Sequence, residues 1–380
     1  MTKGRKKIMI SCDSPRSLLD FRGKLIEELV SGHELSVFSP KIEQEGTRLK
    51  LLQMGVKVYE NDLNPSNVSL ISDLKYLFAL YKLISKVKPD VFFPYTFKPV
   101  IYGSFVARYC GVARITPMLT GLGYNFLNLG PRTNVQKVTR MLLKFSLRAN
   151  RRLHVIFQNE DDYETLVSEN IISKTQKASV VNGSGVDLSH YDYTPPDVLN
   201  ISFIMVSRLI NAKGVHEFYQ AAKLIKSKFP AVNFKLIGPY DDNIDAISQD
   251  LYDKIRFDGV VHYMGLVEDV RAYIRESSVV VLPSYYGEGV PRCLLEGMAM
   301  GRALITCNSV GCRETVNPLL RKANGFLVPV KEVAELASKM EYYIRHPDEI
   351  VRFGLNGRRY AHEKFDVNKV NKKMVNILIN

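Results

Sequence analysis

The feature that most restricts the fold of this chain is an alternation of short apolar runs with helix-period segments, played through twice. In the first half the runs fall at 8–11, 34–38, 56–59, 90–94, 114–119, 154–158 and 178–181. Segments such as 18–30 and 74–87, with apolar residues recurring every three or four positions, lie between them. The second half repeats the theme with runs at 201–206, 233–237, 260–264, 279–282, 303–306 and 325–328. Strand–helix alternation of this kind predicts a parallel, doubly wound sheet, because each crossover returns through a helix laid on the sheet face. Two such series in 380 residues predict two α/β domains, each with its own core. The stretch 191–200, with Pro195-Pro196 and no periodicity, reads as the linker.

Composition narrows the partners. Lys and Arg number 52 against 39 Asp and Glu, and the resulting net charge of +13 calls for an acidic partner: nucleic acid, anionic lipid or a phosphorylated substrate. Five cysteines, an odd number with no CxxC pair, argue for reduced thiols and against a disulfide framework or zinc site. No metal ligand is predicted, since no His-x3-His or His-Glu-x2-His spacing occurs among the seven histidines. The basic start, Met1 to Lys7, leads into an apolar run too short for a secretion signal and reads as the approach to the first strand. No run approaches the roughly 18 apolar residues that span a bilayer, so membrane contact is expected to be peripheral.

Two strand-end motifs carry the chemistry. The run 279–282 is wholly apolar, as a buried parallel strand should be. It leads into Pro283-Ser284-Tyr285-Tyr286-Gly287-Glu288-Gly289-Val290 and then a helix with Pro291 at its first position, Glu296 inside and Gly301 at its expected end. A glycine-bearing loop opening onto a helix N-terminus suits a phosphate, and the two carboxylates suit hydroxyl groups. Read alone, Glu288 is equally a solvated loop residue and Glu296 a helix-surface residue. The second motif, Ser207-Arg208-Leu209-Ile210-Asn211-Ala212-Lys213-Gly214, places two cations between a strand end and a helix start. A lysine there opposes the helix dipole, whereas an Arg fork and a Lys point charge together suit a diphosphate. Gly238-Pro239 and Gly265-Leu266-Val267 follow two further strands; they edge a base pocket or are ordinary turns.

Together these motifs resemble the retaining glycosyltransferases of family 4. Tyr95-Thr96-Phe97-Lys98-Pro99, Thr120-Gly121-Leu122-Gly123-Tyr124, Phe157-Gln158-Asn159-Glu160-Asp161-Asp162, Ser184-Gly185-Val186-Asp187-Leu188 and Gly311-Cys312-Arg313-Glu314-Thr315-Val316 resemble one branch of that family. It is the branch of N-acetylgalactosaminyl and hexosyl transferases that extends polyprenyl-diphosphate-linked saccharides in bacterial surface-glycan and glycoprotein assembly. The resemblance implies a GT-B fold, two facing Rossmann-like domains with an interdomain cleft. Residues 1–190 would form an acceptor-binding domain, 201–355 a nucleotide-sugar-binding domain, and 356–380 a C-terminal helix returning to the first.

It further implies transfer of a hexose or N-acetylhexosamine from a UDP-sugar with retention, by a front-face route. Arg208, Lys213 and Glu288 would be catalytic, and Glu296, Gly289, Val290, Leu294, Gly238 and Val267 donor-binding. Lys98, Gly121, Gly123, Tyr124 and Arg16 would face the acceptor. The chain lacks Asp-x-Asp, so no metal cofactor is expected. It departs from the wider family at Asp13-Ser14-Pro15-Arg16, where a double-glycine loop is usual, and in having no histidine within 116–124. A UDP-sugar epimerase on a similar scaffold, or a basic nucleic-acid-binding protein, are the other readings. No helix-turn-helix, RNP-type strand or zinc module favours the latter.

Between 134 and 152, Lys137, Arg140, Lys144, Arg148 and Arg151 recur at helical spacing beside Val138, Leu142, Phe145 and Ala149. The segment reads as a basic stripe suited to an anionic bilayer, or as a surface helix whose apolar face packs on the sheet. With a membrane-borne acceptor, the expected location is cytoplasmic, peripheral on the inner face of the cytoplasmic membrane.

Overall fold

A computed structural model describes residues 4–63, 70–126, 132–240 and 245–380. Two compact units emerge, one made of residues 1–184 and 368–380, the other of Gly185–Val367. The chain passes between them at 184/185 and 367/368, so residues 191–200, expected as the linker, belong to the second unit. There the Tyr193 ring packs on Gly301, and Thr194 accepts hydrogen bonds from Arg302.

In the first unit, β1 (Lys7–Ser11), β2 (Glu34–Pro40), β3 (Lys57–Asn61), β4 (Val91–Pro94) and β5 (Arg114–Ile115) form a parallel sheet in the order β3-β2-β1-β4-β5. A three-stranded parallel sheet of β6 (Met118–Leu119), β7 (Val155–Phe157) and β8 (Ala178–Val180) continues it through the Tyr95–Met118 and Ile115–Leu153 bridges. The run 114–119, expected as one strand, is therefore broken at Thr116-Pro117. Proline has no N–H to give a ladder, and the chain changes neighbours there: Thr116 N–H bonds to Phe92, whereas the Pro117 carbonyl accepts from Ile156.

The closing helix, Val367–Ile379, buries Val370, Met374, Ile377 and Leu378 in the core that holds β1 and β2. Its last carbonyls are satisfied by cations, Lys6 Nζ on Ile379 at 2.6 Å and Arg114 Nη1 on Ile377 at 2.7 Å.

The second unit carries β9 (Ser202–Val206), β10 (Asn233–Ile237), β11 (His262–Tyr263), β12 (Val279–Leu282), β13 (Ala303–Cys307) and β14 (Gly325–Val328), all parallel, in the order β11-β10-β9-β12-β13-β14. β12 and β13 are buried along their whole length, which accounts for the wholly apolar sequence of β12; in β13 the polar residue is Thr306, whose hydroxyl donates to the Leu282 carbonyl at 2.6 Å. In each unit the strand order reverses beside the first strand, between β1 and β4 and between β9 and β12. Connections leave in opposite directions at such a point and open a crevice at the carboxyl ends, where open α/β sheets bind ligands.

Candidate active site

In the second unit both strand-end motifs arrive at this reversal. After β9 the chain runs through Ser207-Arg208 into a short turn, Asn211–Lys213. Asp245 anchors that turn: its backbone carbonyl accepts from the Asn211 N–H at 2.8 Å and its carboxylate from the Ala212 N–H at 3.0 Å. Gly214 follows in a left-handed conformation (φ 78°) and starts helix Val215–Lys228; a Cβ there would overlap Pro283. After β12, the Tyr285 N–H donates to the Ala212 carbonyl at 2.8 Å, stitching the two loops together.

This stitching brings Lys213 against Glu288, and the two form an ion pair with side chains only 14% and 12% exposed. The Ser284 hydroxyl, fully buried, lies 3.0 Å from Glu288 Oε1 and 3.2 Å from the Ala212 carbonyl. Burial by itself would lower the Lys213 pKa; the charge and hydrogen bond of Glu288 outweigh it and hold the ammonium above its usual value. The Tyr286 ring lies 5.1 Å from Lys213 Nζ and 5.8 Å from the Arg208 guanidinium, so both cations gather at one aromatic ring. Behind the loop, Gly311 (φ 75°) leaves room for the Glu288 and Gly289 carbonyls, which a Cβ would strike.

Helix Arg292–Ala299 begins one residue later than the sequence predicts, with Pro291 as the extended residue before it. Glu296 is buried, not a surface residue. Its Oε1 accepts from Tyr191 Oη at 3.0 Å and from Arg292 Nε and Nη2 at 3.2 and 3.1 Å. Burial drives the Cys293 thiol pKa up, and the charges of Lys213, Glu296 and Glu288 also act on it, which ties these three sequence candidates to one end of this helix. Val290 and Leu294 are buried in the core, which closes their side chains to a ligand. Val267 is half-buried against the same core. Gly238 (φ 144°) is needed because a Cβ would run into the Ser207 carbonyl; the close approach it permits is to the chain itself.

In the first unit, Lys98 Nζ donates to Asp73 Oδ1 at 3.0 Å and Tyr102 Oη to Asp73 Oδ2 at 2.6 Å. Nearby Thr96, a β-branched residue, sits in the left-handed region (φ 71°) at the end of β4. Asp13, in place of the family's glycine pair, has its pKa raised by burial against the opposing influence of Thr96 and Lys98. Gly121 (φ 111°) and Gly123 (φ 51°) both have positive φ, outside the ordinary range for a side chain, and Tyr124 is exposed. Arg16 is about half exposed and pairs with Asp20 at 3.0 Å, the contact of a surface base.

Similarity to known proteins is extensive. Residues 19–159 match the model for "Glycosyl transferase 4-like" and 200–346 the model for "Glycosyl transferases group 1". The N,N'-diacetylbacillosaminyl-diphospho-undecaprenol alpha-1,3-N-acetylgalactosaminyltransferase of Campylobacter jejuni is 27% identical over 89% of both chains. The chain belongs to the family-4-like glycosyltransferases of GT-B fold. A UDP-Gal:alpha-D-GlcNAc-diphosphoundecaprenol alpha-1,3-galactosyltransferase of Escherichia coli is also 27% identical, over 70% of this chain and 69% of that one. Among solved structures, Anabaena HepE in complex with UDP-glucose superposes with a TM-score of 0.75 at 19% identity, covering 98% of this chain and 99% of the other.

Several residues that shape this glycosyltransferase's candidate site are not singled out by sequence. Ser284, Tyr286 and Arg292 lie inside the 283–301 stretch, so their proximity to Glu288 and Glu296 was visible, but not their contacts. Asp245 and Tyr191 come from loops with no local signal. Among the described residues, no group of three or more His, Cys, Asp or Glu could hold a metal ion. No described helix is long and apolar enough to cross a membrane.

Proposed function

We propose that this glycosyltransferase moves a hexose or N-acetylhexosamine from a UDP-sugar to a polyprenyl-diphosphate-linked saccharide, with retention, in surface-polysaccharide or glycoprotein-glycan assembly. The observation that carries the donor half is the Lys213–Glu288 pair beside Arg208 at the strand reversal of the second unit. Without ligand these two charges neutralise each other. An incoming diphosphate takes the Lys213 ammonium and the Arg208 guanidinium, and Glu288 is thereby released to accept from sugar hydroxyls. Backbone N–H groups at the start of helix Arg292–Ala299, with those of Val290 and Leu294, supplement them through the positive end of the helix dipole, so that protein charge alone stabilises the leaving diphosphate. Glu296 accepts from the ribose hydroxyls, held in place by Arg292 and Tyr191. Gly238 and Val267 edge the base site, and Gly289 lets the loop approach the sugar.

In the reaction the anomeric C–O bond to the diphosphate breaks and a bond to the acceptor oxygen forms. With retention the hydroxyl approaches on the leaving side, so the departing diphosphate oxygen is the nearest acceptor for its proton. Lys98, Gly121, Gly123 and Tyr124 line the acceptor site of the first unit. The names of the Campylobacter and Escherichia relatives, both diphospho-undecaprenol enzymes, support this acceptor class.

Such an acceptor lives in a bilayer, and we assign the enzyme to the inner face of the cytoplasmic membrane as a peripheral protein. Helix Asn134–Ser146 supports this in a form the sequence did not predict. Its buried face is Gln136, Arg140 and Leu143, whereas Val135, Val138, Met141 and Phe145 are exposed beside Lys137 and Lys144, with Arg148 and Arg151 just beyond. Arg140 is thus removed from the basic stripe: it is 7% exposed and paired with Glu169. A panel of UDP-sugars tested with prenyl-diphosphate-linked saccharides, read by mass spectrometry, checks the proposal. A lengthened lipid-linked glycan supports it. Turnover of the UDP-sugar into its epimer without acceptor contradicts it.

A further inference from the structure

Helix Asn134–Ser146 buries Gln136, Arg140 and Ser146 beside Leu143 and leaves Val135, Val138, Met141 and Phe145 exposed, unlike an ordinary surface helix. Its buried polar face grips one short element, the Gly123–Phe126 turn. Gln136 Nε2 donates to the Tyr124 carbonyl at 2.9 Å. Arg140 Nε and Nη2 both donate to the Asn125 carbonyl, at 3.1 and 3.0 Å, while Nη1 pairs with Glu169. The same guanidinium lies 4.2 Å from the Phe126 ring, and Phe126 stacks on Phe97, the neighbour of Lys98, at 6.4 Å. Three successive residues of the turn are therefore held by two side chains of one helix.

The outer face is continuous with more exposed apolar surface, since the Phe145 ring meets Phe105 of the adjoining helix at 5.7 Å. Lys137 and Lys144 flank it, so apolar side chains and positive charge stand together, as an anionic lipid surface requires.

We infer that this helix couples contact with an anionic lipid surface to the ordering of the Gly123–Phe126 turn, with Gln136 and Arg140 as positioning residues. The inference rests on the membrane and acceptor assignments proposed above. A lipid surface shifts the turn only if it binds better to the helix placement that holds the turn in order. The direct grip of Gln136 and Arg140 on the turn's carbonyls supplies that difference. A merely structural Arg140 would hold the turn equally well in water.

Hydrogen–deuterium exchange on the full chain tests the coupling, with vesicles of phosphatidylglycerol compared with phosphatidylcholine. Phosphatidylglycerol is expected to slow exchange at 121–126 by about fivefold or more, the low end of ordinary coupling between sites. In Arg140→Gln, and in the milder Gln136→Leu that keeps the Arg140–Glu169 pair, vesicles still co-sediment with the protein but exchange at 121–126 no longer responds. Wild-type protein that binds the vesicles without any change at 121–126, or variants that respond as wild type does, overturns the coupling and leaves the membrane assignment standing. Failure of wild type to co-sediment overturns both, while sugar transfer in detergent reports separately on the proposed reaction.

Discussion

Replacing Lys213 by alanine separates the structural from the chemical role of the Lys213–Glu288 pair. Both side chains are nearly buried, at 14% and 12% exposure. Removing one partner of a buried pair leaves an uncompensated charge and costs about 3–5 kcal/mol. Ser284 can still donate to Glu288, which points to the lower end, about 3 kcal/mol. For a unit the size of Gly185–Val367, where 1 kcal/mol moves Tm by about 2–4 °C, the melting transition should fall by about 6–12 °C.

Lys213→Met combined with Glu288→Leu removes both charges, and apolar replacements of a buried pair are often neutral, so Tm should return close to wild type. Transfer should not return: losing a charge-stabilising donor costs on the order of a hundredfold in kcat. Because the folded pKa of Lys213 is raised above 10.5, the pair's contribution is complete below that pH and is lost only as pH climbs through the raised value. Scanning fluorimetry and transfer assays on the single and double variants check this. A single variant that melts with wild type, or a double variant as active as wild type, refutes the reasoning.

Three further outcomes follow from the same geometry. Burial raises the Asp162 pKa to about 8, against opposing hydrogen bonds from Asn159 and the Leu122 N–H. The folded state thus holds a proton the unfolded state has lost, and stability should fall between pH 6.5 and 8 by up to about 1.4 kcal/mol per pH unit, a slope that Asp162→Asn abolishes in denaturant titrations. Below pH 6.5, His154, lowered to about 4 mainly by burial, acts in the opposite sense, so Gln there should make stability fall less as pH drops. Gly311→Ala pushes a Cβ into the Glu288 and Gly289 carbonyls, and should lower kcat/KM on the order of a hundredfold while circular dichroism stays near wild type.

The architecture was legible because the signals that specify it are local. β12 is four apolar residues between a polar helix end and Pro283, and Gly301 ends the following helix in the left-handed conformation (φ 79°) expected of it. Where the reading failed, a distant partner decided. Pro117 splits one apolar run because neighbouring strands differ on its two sides. Helix Asn134–Ser146 was left with two readings because periodicity shows that two faces differ, not which one the protein covers. Arg140 can be the buried residue only because Asn125, Phe126 and Glu169 satisfy it.

The site was half legible for the same reason. Residue types at 208, 213, 288 and 296 were apparent, but the Lys213–Glu288 contact spans 75 positions and exists only because β9 and β12 are neighbours at the reversal. Tyr191 and Asp245 approach from loops that carry no pattern of their own.

The central claim is that protein cations at this reversal hold a nucleoside diphosphate. Calorimetric titration of UDP into the full chain, in buffer containing EDTA, tests it most directly. Wild type should bind UDP under these conditions, and Arg208→Ala with Lys213→Ala should weaken binding by at least about tenfold, the equivalent of 1.4 kcal/mol. Unchanged UDP affinity in that double variant, or wild-type binding that appears only when a divalent ion is restored, would contradict the account.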